Sequence, residues 1–114
     1  MPKKNEKAHR KELLHALRDQ NRQATREQFP VGAPVLKGLF DFLDSHLSDE
    51  DCNDTLRFTR EFISSYKLPE ESLVAWLEKN GGHCDCEALN NVEQIVEDAI
   101  PEYRDLRFDP SPAQ

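Results

Sequence analysis

The sequence predicts an all-α fold, a small bundle of about four core helices plus a basic N-terminal helix. Three observations lead there. Apolar residues recur at spacings of three and four rather than two. Glycines and prolines collect at a few boundaries. No internal repeat and no strand-like alternation of useful length occurs. At 114 residues the chain fits one domain able to bury a core without a framework of disulfides.

From Glu6 to Gln28 there is no Gly or Pro, and most residues are strong helix formers. Leu13, Leu14, Leu17 and Ala24 draw a narrow apolar stripe, too thin for a full core face, so residues 1–30 are expected as a basic helical arm. Its simplest place is along its own domain, and a partner's surface is the alternative. Phe29-Pro30-Val31-Gly32-Ala33-Pro34 ends this helix, because proline lacks an amide donor and disfavours helical geometry in the residue before it. Pro34 suits a first helical turn, and Val35, Leu36, Leu39, Phe40, Leu43 and Leu47 then form a core face.

Ser48 followed by Asp49, Glu50 and Asp51 reads as an N-cap with acids in the first turn. A third helix is therefore expected from Ser48, with Cys52, Leu56, Phe62, Ile63 and Tyr66 on its buried side, ending near Leu68-Pro69. Pro69 opens a fourth helix that carries Leu73, Val74, Trp76 and Leu77 and stops at Gly81-Gly82. A fifth, capped by Asp85, carries Leu89, Val92, Ile95, Val96, Ala99 and Ile100 as far as Pro101. Residues 31–100 are thus the helical core domain. Residues 101–114 are expected as a flexible tail in which Leu106 and Phe108 are the side chains able to dock.

Charge is unevenly divided. The whole chain carries net −7, but residues 1–30 hold eight Lys or Arg against four acids, a net of +4, which leaves −11 for residues 31–114. A body that acidic repels phosphate backbones, so nucleic acid is not an expected partner, and only the arm could take it. No run approaches the roughly 20 apolar residues of a membrane span, and the start MPKKNEKAHRKELL lacks the apolar stretch of a signal peptide. A cytoplasmic protein with no membrane partner is expected, its partner being another protein or a second copy.

Chemistry concentrates in NGGHCDCEAL, residues 80–89. Two glycines permit a sharp turn, and the helix start that follows offers free amides and a positive dipole end to Cys84 and Cys86, which favours thiolates. A closed zinc site needs about four donors. Cys84 and Cys86 give two, Cys52 a third, and His83 or Asp54 the fourth. Beside this stands a plain packing reading. Cys52, on an apolar helix face, is expected first as core, and Asp85 and Glu87 as an ordinary helix start. His9, His15 and His46 are expected in solvent, and Trp76 in the core rather than as a ligand platform. Glu87, Glu93 and Glu97 read as a solvated face. With no Ser-His-Asp order, HExxH spacing or phosphate-cradling loop, no catalytic residue is assigned and an enzyme is not expected.

The tracts TLRFTREFI (55–63) and VAWLEKNGGHCDCEALNNVEQI (74–95) resemble a family of small, mostly bacterial, uncharacterised proteins known as a domain of unknown function. Its hallmark is Trp-Leu-Glu leading into Gly-Gly-x-Cys-Asp-Cys-Glu and an Asn-Val pair. The matching residues are Trp76, Leu77, Glu78, Gly81, Gly82, Cys84, Asp85, Cys86, Glu87, Asn91 and Val92. The resemblance spans about Leu39 to Ile95 and implies no activity, substrate or cofactor. Similar proteins can carry a histidine soon after the residue matching Cys52, where this chain has Asn53 and Asp54.

The leading expectation is a non-enzymatic protein-binding module in which the Cys84/Cys86 turn holds the third helix against the fifth through zinc. The alternative is a thiol redox or metal-handling protein, with Cys86 as nucleophile and Cys84 or Cys52 as resolving thiol. A nucleic-acid regulator acting through the basic first helix comes third.

Overall fold

The computed structural model describes residues 2–109, with side chains from residue 11 onward. The side chain of His9 and residues 110–114 of the expected tail lie outside what it describes. The chain is all-α, and among the described residues there is no strand. Helices α1 (Pro2–Glu27), α2 (Ala33–Asp49), α3 (Arg57–Tyr66) and α4 (Glu70–Lys79) come first. A broken helical stretch follows, made of α5 (Asp85–Glu87), a π-helical turn (Ala88–Val92) and α6 (Glu93–Ala99), and then a 3-10 turn (Tyr103–Asp105). No described helix is long and apolar enough to cross a membrane.

The core forms where α2 meets α3, α4 and the broken stretch. Leu36, Leu39, Phe40 and Leu43 of α2 are sealed from solvent, as the three-and-four spacing requires, and they meet Phe62, Leu73, Leu77, Val92 and Val96. Each such side chain contributes about 1.5–3 kcal/mol by leaving water.

The third helix does not start at Ser48. Ser48 lies in the last turns of α2, and its hydroxyl donates back to the Asp44 carbonyl at 2.8 Å, so it is no cap. A non-helical link follows, in which the Asn53 side-chain oxygen accepts the Thr55 amide at 3.1 Å and Asp54 takes φ 65°. Such local side-chain bonding competes with helix formation. Cys52 therefore sits in a loop, half-buried, and not on the apolar face of a helix.

Helix α1 also departs from the simplest expectation. Its 26 residues span about 39 Å. Its root is fastened where the Arg26 guanidinium donates to the Ala99 carbonyl at 3.2 Å and the Phe29 ring meets Trp76 edge-on at 5.7 Å. Residues 11–20 are all exposed, so the leucine stripe does not pack on its own domain. The molecule measures 60 × 33 × 24 Å, with a radius of gyration of 17.5 Å, against about 13 Å for a compact chain of this length.

Within the segment read as a tail, Tyr103 is buried and Leu106 and Phe108 pack against the core. Phe108 lies against Phe62 and Tyr66, with ring centroids at 5.4 and 5.0 Å. It occupies the space a side chain at Gly38 would fill, since a Cβ there would stand 2.4 Å from its ring. His46 is not free in solvent either: it is held between the rings of Phe42 at 4.3 Å and Phe58 at 4.8 Å.

Tyr103 is buried, and its hydroxyl donates to Glu93. Burial first, then the hydrogen bond and charge of Glu93, push this phenol far above its ordinary value. The folded phenol keeps its proton where the unfolded one begins to ionise, near pH 10. Its stabilising contribution is intact below that pH and is lost as pH rises further. Urea midpoints should fall steeply above about pH 10, and Tyr103→Phe should flatten that fall; an equally steep fall in the variant would refute the assignment.

Candidate metal centre

The site begins at the end of α4. Gly81 takes φ 91°, a conformation only glycine adopts without strain, and its carbonyl accepts the Asn91 side-chain amide at 3.0 Å. This bond accounts for an asparagine inside a helical stretch. The Gly82 amide donates to the Leu77 carbonyl at 2.7 Å. A Cβ on Gly82 would stand 3.0 Å from Val92 Cγ2 and 3.1 Å from Ala88 Cα, so the turn is pressed onto the π-helical segment. The chain reverses there and delivers His83, Cys84, Asp85 and Cys86 to the start of α3.

Asp85 makes the decisive contacts. It is fully buried; one carboxylate oxygen accepts the Phe58 amide at 2.9 Å, and the other accepts the Thr59 amide at 3.0 Å and the Thr59 hydroxyl at 2.8 Å. Asp85 was expected to cap its own helix, but Cys84 holds the N-cap position of α5. The carboxylate instead satisfies the free amides at the start of α3, whose N-cap residue, Leu56, offers no side-chain acceptor. The Asp85 amide in turn donates to the Thr55 carbonyl at 3.0 Å. These bonds zip residues 55–59 onto residues 84–86 and draw the preceding loop, with Cys52, along.

The result is a trio of sulfurs. The Sγ atoms of Cys52, Cys84 and Cys86 all lie within 4.8 Å of one another, and those of Cys84 and Cys86 are 3.4 Å apart. Cys84 is buried, and the other two are half-buried. Burial pushes the Cys52 thiol up, but the amides of Cys86 and Asp54 and the thiols of Cys86 and Cys84 donate to it and bring it below the ordinary thiol value. The Cys86 thiol is pushed up to about 12 by its hydrogen bonds to Cys84 and Cys52, with burial adding to them. The Cys52 thiol thus gives up its proton more readily than the Cys86 thiol.

Of the other residues read as site candidates, His83 is exposed, and its backbone amide donates to the Glu87 carboxylate at 3.1 Å, which closes the turn. Asp54 is exposed in the loop beside Cys52. Neither side chain joins the sulfur trio, the one group of three or more such donors among the described residues. Trp76 is core, as expected. Three close cysteines can hold a metal ion, because thiolate is a soft donor that suits zinc and copper(I). Zinc–sulfur bonds of about 2.3 Å place tetrahedral sulfurs about 3.8 Å apart, within reach of side-chain rotation.

The family model described as "Protein of unknown function (DUF2695)" matches residues 39–91, a stretch that includes all three cysteines. The uncharacterized protein Rv2271 of Mycobacterium tuberculosis and the uncharacterized protein Mb2294 of Mycobacterium bovis are each 32% identical to this chain over 88 residues, covering 77% of it and 89% of the relative. No solved structure matches. With the alignment covering 77% of this chain and 89% of the relative, and with the glycine-cysteine turn inside the family match, this chain belongs to the DUF2695 family of bacterial proteins.

Proposed function

We propose that this protein is a helical module that works by binding another protein, and that Cys52, Cys84 and Cys86 hold one zinc ion as thiolates. One observation carries the reading: three sulfurs from segments separated by the whole of α3 and α4 meet within 4.8 Å. Zinc fits because it prefers thiolates, has no redox chemistry of its own and offsets the charge that three close thiolates accumulate. His83, next to Cys84 and exposed, is the side chain proposed to fill the fourth position; Asp54 is the alternative. Bound this way, the ion would clamp the loop before α3 to the turn before α5. Its binding free energy would then add to folding, since the donors meet only in the folded chain.

The test is elemental analysis of chain purified without added metal, combined with thermal melts. About one zinc per chain is expected, with the melting temperature lowered by about 10 °C or more in chelator and the metal lost in Cys52→Ser, Cys84→Ser and Cys86→Ser. A chain with three freely titrating thiols, no bound metal and a melt indifferent to chelator would end this reading.

The 3.4 Å separation of Cys84 and Cys86 sulfurs favours a second reading, thiol redox chemistry. In it the two thiols would close to a disulfide, giving two protons and two electrons to a small-molecule disulfide. Metal-free chain that loses two titratable thiols on mild oxidation, and regains them with a dithiol, would move this reading ahead.

A further inference from the structure

Among the described residues four large apolar side chains are exposed: Leu13, Leu14 and Leu17 at 50, 54 and 54%, and Tyr66 at 39%. The three leucines share one face of α1, at positions i, i+1 and i+4. At about 100° per residue, Lys11 and Arg18 border that face beside Leu14, while Glu12 and Asp19 lie on the opposite side. The stripe is therefore apolar with a cationic edge. It cannot reach its own body, because the helix is continuous and its root is fixed at Arg26 and Phe29.

Tyr66 stands beside a groove of about 460 Å³ between α2 and α3, lined by Phe42, His46, Phe62 and Phe108. Of the charged side chains that line it, Lys37 and Asp41 pair at 2.9 Å and Arg107 adds a cation. The apolar rings are therefore what the groove offers the leucines, while the attraction for the arm comes from the net charge of the body. One chain thus displays an apolar, cationic rod and, elsewhere, an apolar groove on a body that carries −11 against +4 for the arm. We propose that α1 docks through Leu13, Leu14 and Leu17 on the acidic body of a second copy, with the Tyr66 groove as its seat. The same charge division selects this occupant. A phosphate surface, whether membrane or nucleic acid, attracts the arm but repels the body tethered to it, whereas a second copy presents the acidic body as the attractor. Two copies exchanging arms reciprocally would close into a two-fold dimer.

The test is mass by light scattering on the full chain over a concentration series, repeated at about 0.05 M and about 0.5 M salt. A concentration-dependent species of twice the single-chain mass is expected, weakened by salt. It should be lost in Leu17→Asp and in the double variant Lys11→Glu/Arg18→Glu, with helical content by circular dichroism unchanged because these residues are exposed. Tyr66→Glu should weaken it as well. A single-chain mass at every concentration overturns the proposal, as does a dimer indifferent to Leu17→Asp. Sedimentation with anionic vesicles or retention by DNA, by a chain that stays single, overturns it in favour of a phosphate surface. None of these readouts depends on metal, so the zinc reading stands or falls separately.

Discussion

Asp85→Ala should destabilise the fold by about 3 kcal/mol, the sum of a lost helix cap and of donors left buried without an acceptor. Three donors converge on this carboxylate, the amides of Phe58 and Thr59 and the Thr59 hydroxyl, and no water reaches it. Alanine would orphan all three at once, at the junction that brings α3 against the cysteine turn. Asp85→Asn keeps one acceptor oxygen but turns an amide toward a donor, so it should fall between alanine and the wild type. Denaturant midpoints at constant m-value measure the difference. A loss below about 1 kcal/mol would mean that the start of α3 is held by its apolar contacts and not by this cap.

Gly82→Val comes next in size, at about 3 kcal/mol, because the obstructions are backbone and core atoms that have nowhere to go. The first atom of the new side chain would meet Val92 Cγ2 at 3.0 Å, Ala88 Cα at 3.1 Å and the Leu77 carbonyl oxygen at 3.2 Å. Relief requires the turn to lift from the π-helical segment, which would carry Cys84 and Cys86 away from Cys52. The variant should therefore lose stability and, on the proposed zinc reading, metal affinity with it, whereas Gly82→Ala should lose less of each. A valine variant with unchanged midpoint and metal content would show that the turn is not pressed into place.

The sequence makes most of the fold legible where the deciding interactions are local. The prolines at 30, 34 and 69 and the glycines at 81 and 82 bound α2 and α4 as read, and the buried faces of both follow the three-and-four spacing. The start of α3 was not legible. Ser48 and its following acids make a good local cap signal, while the actual cap, Asp85, is supplied from 26 positions beyond Thr59. No local pattern encodes that distance. The same bond explains why Cys52 was read as a core residue: its loop is placed by a contact on the far side of two helices. The two turn cysteines were legible because glycine, polar neighbours and a helix start coincide in sequence. The interruption of the last helical stretch left only a faint trace, the Asn90-Asn91 pair, one member of which finds its partner in Gly81. Tyr103 was hidden for another reason: a short polar segment has the composition of a tail, and one buried aromatic does not change it, whereas Leu106 and Phe108 stood out as its apolar side chains and do pack on the core.

The projecting first helix has a hydrodynamic consequence. A particle nearly twice as long as it is wide drags more solvent than a sphere of equal mass, so it diffuses slowly and leaves a sizing column early. A lone copy would elute in the range of a larger globular protein and pass for an assembly. Tumbling would be anisotropic too, with nuclear relaxation along the rod differing from that in the body, and that asymmetry would diminish if a second copy packed alongside.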